Sequence, residues 1–297
     1  MEEKQRAAEE GGEEERKGWA RKAWESIRAV RERSPLVQCI TNFVSMDLMA
    51  NTLLAGGASP AMVHCLQEIP DFTPHADSLC INIGTLSPDW VLSMKASASL
   101  AAEKGRPWVL DPVAVSASDF RMTVCLDLVQ LRPTVIRGNA SEIMALSSAS
   151  LGPNKDFQWA GESLFKGVDS SHGTMDAVEA ARSLAQRSGA IVAVSGAVDV
   201  ITDGQRVVGV CNGVAMMQRI TATGCAVTAL IAAFVAANPS NPFEATACSL
   251  SIFGVAGELG MDMAKGPASL RMHMIDSLHG LDEPTLLSRV NITSLSG

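Results

Sequence analysis

Apolar positions along this chain recur with two periods, and the periods take turns. Trp19, Ala23, Trp24, Ile27 and Val30 fall on one helical face and predict an amphipathic first helix ending near Ser34-Pro35. Short apolar runs predict strands at 36–40, 61–64, 78–83, 108–110, 134–136 and 191–194. Between them, helical spacing predicts helices at 45–55, 88–104, 119–131, 140–146 and 175–188, with glycines closing three of them at Gly56-Gly57, Gly105 and Gly189. Residues 199–202 and 206–211, joined through Asp203-Gly204, read as a β-hairpin. The longest uncharged stretch, 221–238, carries three threonines, many alanines and no flanking basic belt, so it reads as a buried helix rather than a membrane span.

Alternation on this scale predicts an α/β fold with a mostly parallel central sheet, helices on both faces, and a β-hairpin adding antiparallel strands. No internal repeat or linker divides the chain, so residues 18–297 read as one domain. Residues 1–17 are dominated by glutamate and lack an apolar core, which fits neither a secretory signal nor a transit peptide. They read as a solvated acidic tail without a fold. The least regular stretch, 151–173, reads as a mobile surface excursion.

Composition narrows the function classes. With 47% hydrophobic and 19% charged residues the chain is globular, and a net charge of -8 argues against a nucleic-acid binder. Five histidines form no HExxH pair, and seven scattered cysteines form no CxxC, so reduced thiols in the cytoplasm are expected.

In open parallel sheets, ligands bind at the carboxyl ends of the strands. The polar residues just after each apolar run are Thr41-Asn42, Asn82, Asp111, Arg137 with Asn139 and Glu142, and Ser195. Each has a plain structural reading. Asp111 before Pro112 can start a turn, Asn139 with Glu142 can form a capping box, and Asn42 and Asn82 can serve as loop hydrogen-bonders. Together they have another: Asp111 and Glu142 suit hydrated Mg²⁺, and Arg137 suits phosphate. Cys225 follows Ala222-Thr223-Gly224 in the first turn of the uncharged helix, where backbone N–H groups and the helix dipole favour an anion and a thiolate. Its bland reading is a small core filler. No GxxxxGK[ST] loop and no GxGxxG turn is present. Phosphates are therefore expected at the 222–225 helix start, in phosphoryl transfer.

Several of these segments, in order, resemble the hydroxyethylthiazole kinase family. They are Pro35-Leu36-Val37, Ile40-Thr41-Asn42, Gly57 to Met62, Asn82 to Leu86, Asp111-Pro112-Val113, Ile136 to Ile143, Lys166 to Asp169 and Thr221 to Cys225. The resemblance implies a ribokinase-like fold, a cytoplasmic homotrimer, and ATP- and Mg²⁺-dependent phosphorylation of 4-methyl-5-(2-hydroxyethyl)thiazole in thiamine salvage. It also implies that Cys225 faces the substrate hydroxyl, with Gly224 and Thr223 beside it. Asn42, Met62 (mainly through its backbone) and Ala222 would line the thiazole pocket. Arg137, Ser195 and Asn139 would meet ATP, and Asp111 and Glu142 the metal. Two positions depart from the family pattern: Ala222 where Gly is common, which requires a backbone angle open to a residue with Cβ, and Ser195 where Thr is common.

Other readings stay open on the residues alone. One is a kinase for a different heterocyclic alcohol such as hydroxymethylpyrimidine. Another is a lapsed kinase kept as a binding module. A third is a thiol hydrolase using Cys225 with His64, the one histidine following a predicted strand.

Overall fold

The computed structural model describes residues 2–151 and 171–295. Helix α1 spans Glu2–Arg33. The chain continues through β1 (Leu36–Ile40), α2 (Met46–Gly56), β2 (Ser59–Ala61), the short α3 (Ile69–Phe72), β3 (Ser78–Asn82), α4 (Pro88–Glu103) and β4 (Trp108–Asp111). Next come α5 (Asp119–Gln130), β5 (Val135–Asn139), α6 (Ala140–Ala149), α7 (Ser171–Ser188), β6 (Ile191–Ser195), β7 (Asp199–Thr202) and β8 (Val207–Val210). The remainder is α8 (Thr223–Ala237), α9 (Pro242–Met263), α10 (Pro267–Gly280), α11 (Glu283–Arg289) and β9 (Ile292–Ser294).

Among the described residues nine strands form one sheet, in the order β2-β1-β3-β4-β5-β6-β7-β8-β9. The six strands from β2 to β6 are parallel and β7 and β8 reverse direction, as the alternation and the hairpin predict, while β9 adds a further antiparallel strand that they do not. The pleat sends alternate side chains to opposite faces. Val37, Cys39, Cys80, Val109 and Val135 join a core with α1, α2, α8, α9 and α10, while Ile40, Leu79, Ile81, Leu110 and Ile136 join another with α4, α5, α6 and α7.

Helix α8 is apolar on every side because every side is covered. It packs on α1, α2, α9, β1, β3 and β4, and 226–235 is buried throughout. A Cβ at Gly56 would lie 2.8 Å from Leu230, so α2 approaches α8 with no room for a larger residue. The apolar faces of α8 and α9 are thus spent inside this chain. Among the described residues no helix is long and apolar enough to cross a membrane.

Several expectations are corrected. The acidic segment is helical, continuous with α1 from Glu2, rather than a tail without structure. Ala, Glu, Lys and Arg propagate helix well. Lys17 pairs with Glu13 at 2.8 Å, and the backbone N–H of Ser294 in β9 donates to Glu15 at 2.9 Å. The second strand is Ser59–Ala61 rather than 61–64. Pro60 sits within it because β2 is an edge strand, where a missing N–H breaks no ladder bond. The hairpin turn takes four residues, Asp203 to Arg206, since Thr202 pairs with Val207 and Asp203 Oδ1 accepts from the N–H groups of Gln205 and Arg206. Of the irregular stretch expected at 151–173, residues 152–170 lie outside the described residues, and Ser171 begins α7. The segment Lys166 to Asp169 lies outside them too.

Phe234 is fully buried on α8. Phe234→Ala is expected to lower unfolding stability by about 3–5 kcal/mol, read from urea denaturation. Glu15→Ala, at an exposed contact, should cost under about 1 kcal/mol in the same assay.

Candidate active site

The predicted polar residues gather at one edge of the sheet. Asn42 follows β1, Asn82 ends β3, Asp111 ends β4, Arg137 and Asn139 lie in β5, and Ser195 ends β6. Parallel register aligns Asn82 with Asp111, and Asn139 with Ser195. Met62, half-buried just past β2, packs on the core that contains α8.

A chain of buried hydrogen bonds joins the ends of β1, β3 and β4 to α8. Asn42 Nδ2 donates to Asn82 Oδ1 at 2.9 Å, and Asn82 Nδ2 donates to Asp111 Oδ2 at 2.8 Å. Thr228 Oγ1 donates to the same Asp111 oxygen at 3.0 Å. Asn42 Nδ2 and Asn82 Nδ2 also approach Cys225 Sγ, at 3.5 and 3.2 Å. Gly84 closes this corner, for a Cβ there would lie 2.9 Å from both asparagine side chains.

Asp111 is 1% exposed, and its Oδ1 has no hydrogen-bond partner among the described residues. Burial pushes its carboxyl up to about 7; Arg137 opposes this, Glu142 adds to it, and Thr228 and Asn82 oppose it more weakly. A buried acceptor without a donor is costly, so this oxygen suits a hydrated divalent cation. Glu142 supplies a second carboxylate, already tied to the backbone. Its Oε1 accepts from Ala114 N–H at 2.9 Å and its Oε2 from Asn139 N–H at 2.8 Å. Each oxygen keeps a second lone pair, which suits contact through metal-bound water. No group of three or more metal-binding side chains occurs among the described residues.

The thiolate expected at Cys225 is corrected. Burial first, and the Asp111 charge second, push its thiol up to about 11, against Asn42, Asn82 and Arg137. Burial and the neighbouring carboxyl thus favour the protonated sulfur at neutral pH. The Thr223 hydroxyl contacts the Ile220 and Met217 carbonyls at 2.6 and 3.1 Å, so its side chain holds the turn into α8. Ala222 caps that helix at φ 66°, in the left-handed region. The angle is thus one that disfavours a Cβ, at about 1–2 kcal/mol, where the sequence led us to expect one that admits it.

Arg137 lies over the start of α8. A Cβ on Gly224 would come 2.6 Å from its Nη1. Its Nε donates to Ser195 Oγ at 3.0 Å. Asn139 forms the capping box of α6, with its Oδ1 accepting from Glu142 N–H at 2.9 Å, so that oxygen is already engaged. His64 does not serve Cys225: its Nε2 accepts from the Thr41 N–H at 3.2 Å, and asparagine amides face the sulfur. That arrangement removes the base a thiol hydrolase needs.

Three contributors escaped the sequence reading. Thr228 is a polar residue inside an otherwise apolar helix, and that break in the pattern was its signal. Asp199, expected only to start a strand, accepts from Gly196 N–H at 2.9 Å and is raised to about 6 by burial, against Gly196 and Arg137. Arg121 donates to the Ile83, Gly84 and Val113 carbonyls at 2.7–3.1 Å, tying together the loops after β3 and β4. A lone arginine in a helix carries no pattern that foretells this.

The Asp111 environment has a measurable consequence. Its carboxyl rises from an ordinary 3.8 to about 7 on folding, so between these values the folded chain holds a proton the unfolded chain has released. Metal-free protein should therefore lose stability as pH rises from 4 to 7, by up to about 1.4 kcal/mol per pH unit from this group. Asp111→Asn should flatten that difference, read from urea midpoints at pH 5 and 7 with chelator present.

Comparison with known proteins bears on the family and the fold. The model of the hydroxyethylthiazole kinase family matches residues 27–284. A hydroxyethylthiazole kinase from Arabidopsis thaliana is 61% identical, covering 95% of this chain and 98% of the relative, and one from Zea mays is 62% identical with the same coverage. The solved structure of a hydroxyethylthiazole kinase from Pyrococcus horikoshii superposes with a TM-score of 0.82 at 37% identity, covering 92% of this chain and 99% of that one. A pyridoxal kinase from Bacillus subtilis, at 18% identity and a TM-score of 0.55 over 80% of this chain and 99% of its own, shares the fold alone, which is ribokinase-like. By both sequence and fold, along nearly its whole length, this chain belongs to the hydroxyethylthiazole kinase family.

Proposed function

We propose that this chain transfers the terminal phosphoryl group of ATP to the hydroxyl of 4-methyl-5-(2-hydroxyethyl)thiazole, in thiamine salvage. The carrying observation is the buried line Asn42–Asn82–Asp111, which meets Cys225 at the start of α8 with Arg137 above Gly224. Asn42, the Met62 backbone and Ala222 line the thiazole side. Arg137, Ser195 and the Asn139 amide serve ATP. Backbone N–H groups at Thr223, Gly224 and Cys225 face the charge that develops on the moving phosphoryl group. Asp111 and Glu142 hold Mg²⁺ through water, and the ion when bound neutralises phosphate charge.

Cys225 faces the acceptor hydroxyl as a neutral thiol. A loose transition state asks little of a base, so position and anion stabilisation carry the rate. We place the protein in the cytoplasm, where its seven free cysteines suit a reducing compartment. We also propose a homotrimer; Phe43 and Val44, exposed beside Asn42, are the side chains such a contact would cover.

Purified protein with ATP and Mg²⁺ should yield phosphorylated thiazole, identified by mass. Turnover only of hydroxymethylpyrimidine, or thiazole binding without product, would overturn this reading. Cys225→Ala should keep measurable transfer, about 10- to 100-fold below wild type in kcat. Gly224→Ala should fold normally, yet lose about 10- to 100-fold in kcat/KM for ATP because its Cβ displaces Arg137. Size-exclusion chromatography with light scattering tests the trimer.

A further inference from the structure

The His64 ring, which the mechanism above does not use, joins two segments assigned to the thiazole pocket. Thr41 is fully buried, and its N–H points to His64 Nε2 at 3.2 Å. No strand partner serves that N–H. Strand β2 leaves the ladder at Ala61, paired with Gln38, and Val63 O meets only the Gln38 side chain, at 3.4 Å. A side-chain nitrogen takes the place of the missing carbonyl, as a buried donor requires.

What hangs on Thr41 is the next residue. Asn42 turns its Oδ1 back to the N–H groups of Val44 and Ser45, both at 3.0 Å, and sends its Nδ2 to Asn82 and Cys225. The backbone position of Thr41 thus sets where the Asn42 amide points. His64 is itself held. Its ring stacks on Trp90 at 4.4 Å and 30°, and Trp90 lies 5.0 Å from Phe43. Because the Thr41 N–H donates to it, Nε2 acts as an acceptor in this contact, and His64 follows Met62 by two residues in the chain.

We infer that His64 is a positioning residue for the alcohol substrate, its ring nitrogen fixing the Thr41–Asn42 turn against the Met62 segment. The inference rests on the assignment of Asn42 to that substrate. It acts on binding of the alcohol and leaves the ATP side, across the sheet at Arg137 and Ser195, untouched.

Steady-state kinetics of the full chain with ATP, Mg²⁺ and the thiazole alcohol test it. His64→Phe keeps a stacking ring without the acceptor, and should raise KM for the alcohol about 5- to 30-fold while kcat and KM for ATP stay within about three-fold. His64→Gln, which restores an acceptor near the Nε2 position, should recover most of that loss. An unchanged KM in His64→Phe overturns the inference. So does a His64→Gln variant as impaired as His64→Phe when both melt like wild type, for then the ring only fills space. If His64→Phe is too unstable to assay, His64→Leu is read the same way. Asn42→Ala separates the failures. If it raises KM while His64→Phe does not, His64 alone is overturned; if it too changes nothing, the pocket assignment falls and takes the inference with it.

Discussion

Asp111 brings a carboxylate to a place that water does not reach, and its surroundings are organised by the cost of that placement. One oxygen is met by Asn82 and Thr228, the other by nothing among the described residues, and the acid is held near neutrality. To serve it, β3 must end on an amide, α8 must carry a hydroxyl in an otherwise apolar run, and an arginine must stand nearby on β5. Each neighbour acquires a second duty. Asn82 passes the connection on to Asn42 and Cys225, and Arg137 covers the start of α8. The catalytic edge is in this sense one electrostatic unit.

The same surroundings explain why the cysteine at the start of α8, proposed to face the acceptor hydroxyl, is not a strong base. A carboxylate next door and a dry setting both keep it as a thiol, and the flanking amides compensate only in part. The strain at Ala222 and the contact between Gly224 and Arg137 both act on the helix terminus, which holds the preorganised donors. In the proposed transfer, that backbone contributes more than the sulfur.

Much of this was legible in the sequence. Strand ends are visible as polar residues after apolar runs, so Asn42, Asp111, Arg137 and Ser195 were found at their edge before any coordinates. The capping box at Asn139 and Glu142 was visible as spacing. Long-range choices were not. The three-residue strand β9 carries too little pattern to announce that it pairs with β8, and α1 reaches further than its apolar stripe because propensity and a contact with β9 extend it. The left-handed angle at Ala222 was concealed by a residue that rarely adopts it. At Cys225 the helix start is readable from sequence, whereas burial by distant strands, which pushes the thiol up, is not.

Helix α8 is buried from Ala226 to Val235, and its half-buried first turn is the one proposed to meet phosphate. Past that first turn its amides are buried and bonded within the helix, so they exchange only when the surrounding core comes apart, and they anchor the half-buried turn that precedes them. The turn at Thr41–Ser45, by contrast, sits at the rim and is secured by side chains such as Asn42 and His64. Evolution can therefore retune the rim, one residue at a time, without loosening the donors beneath it.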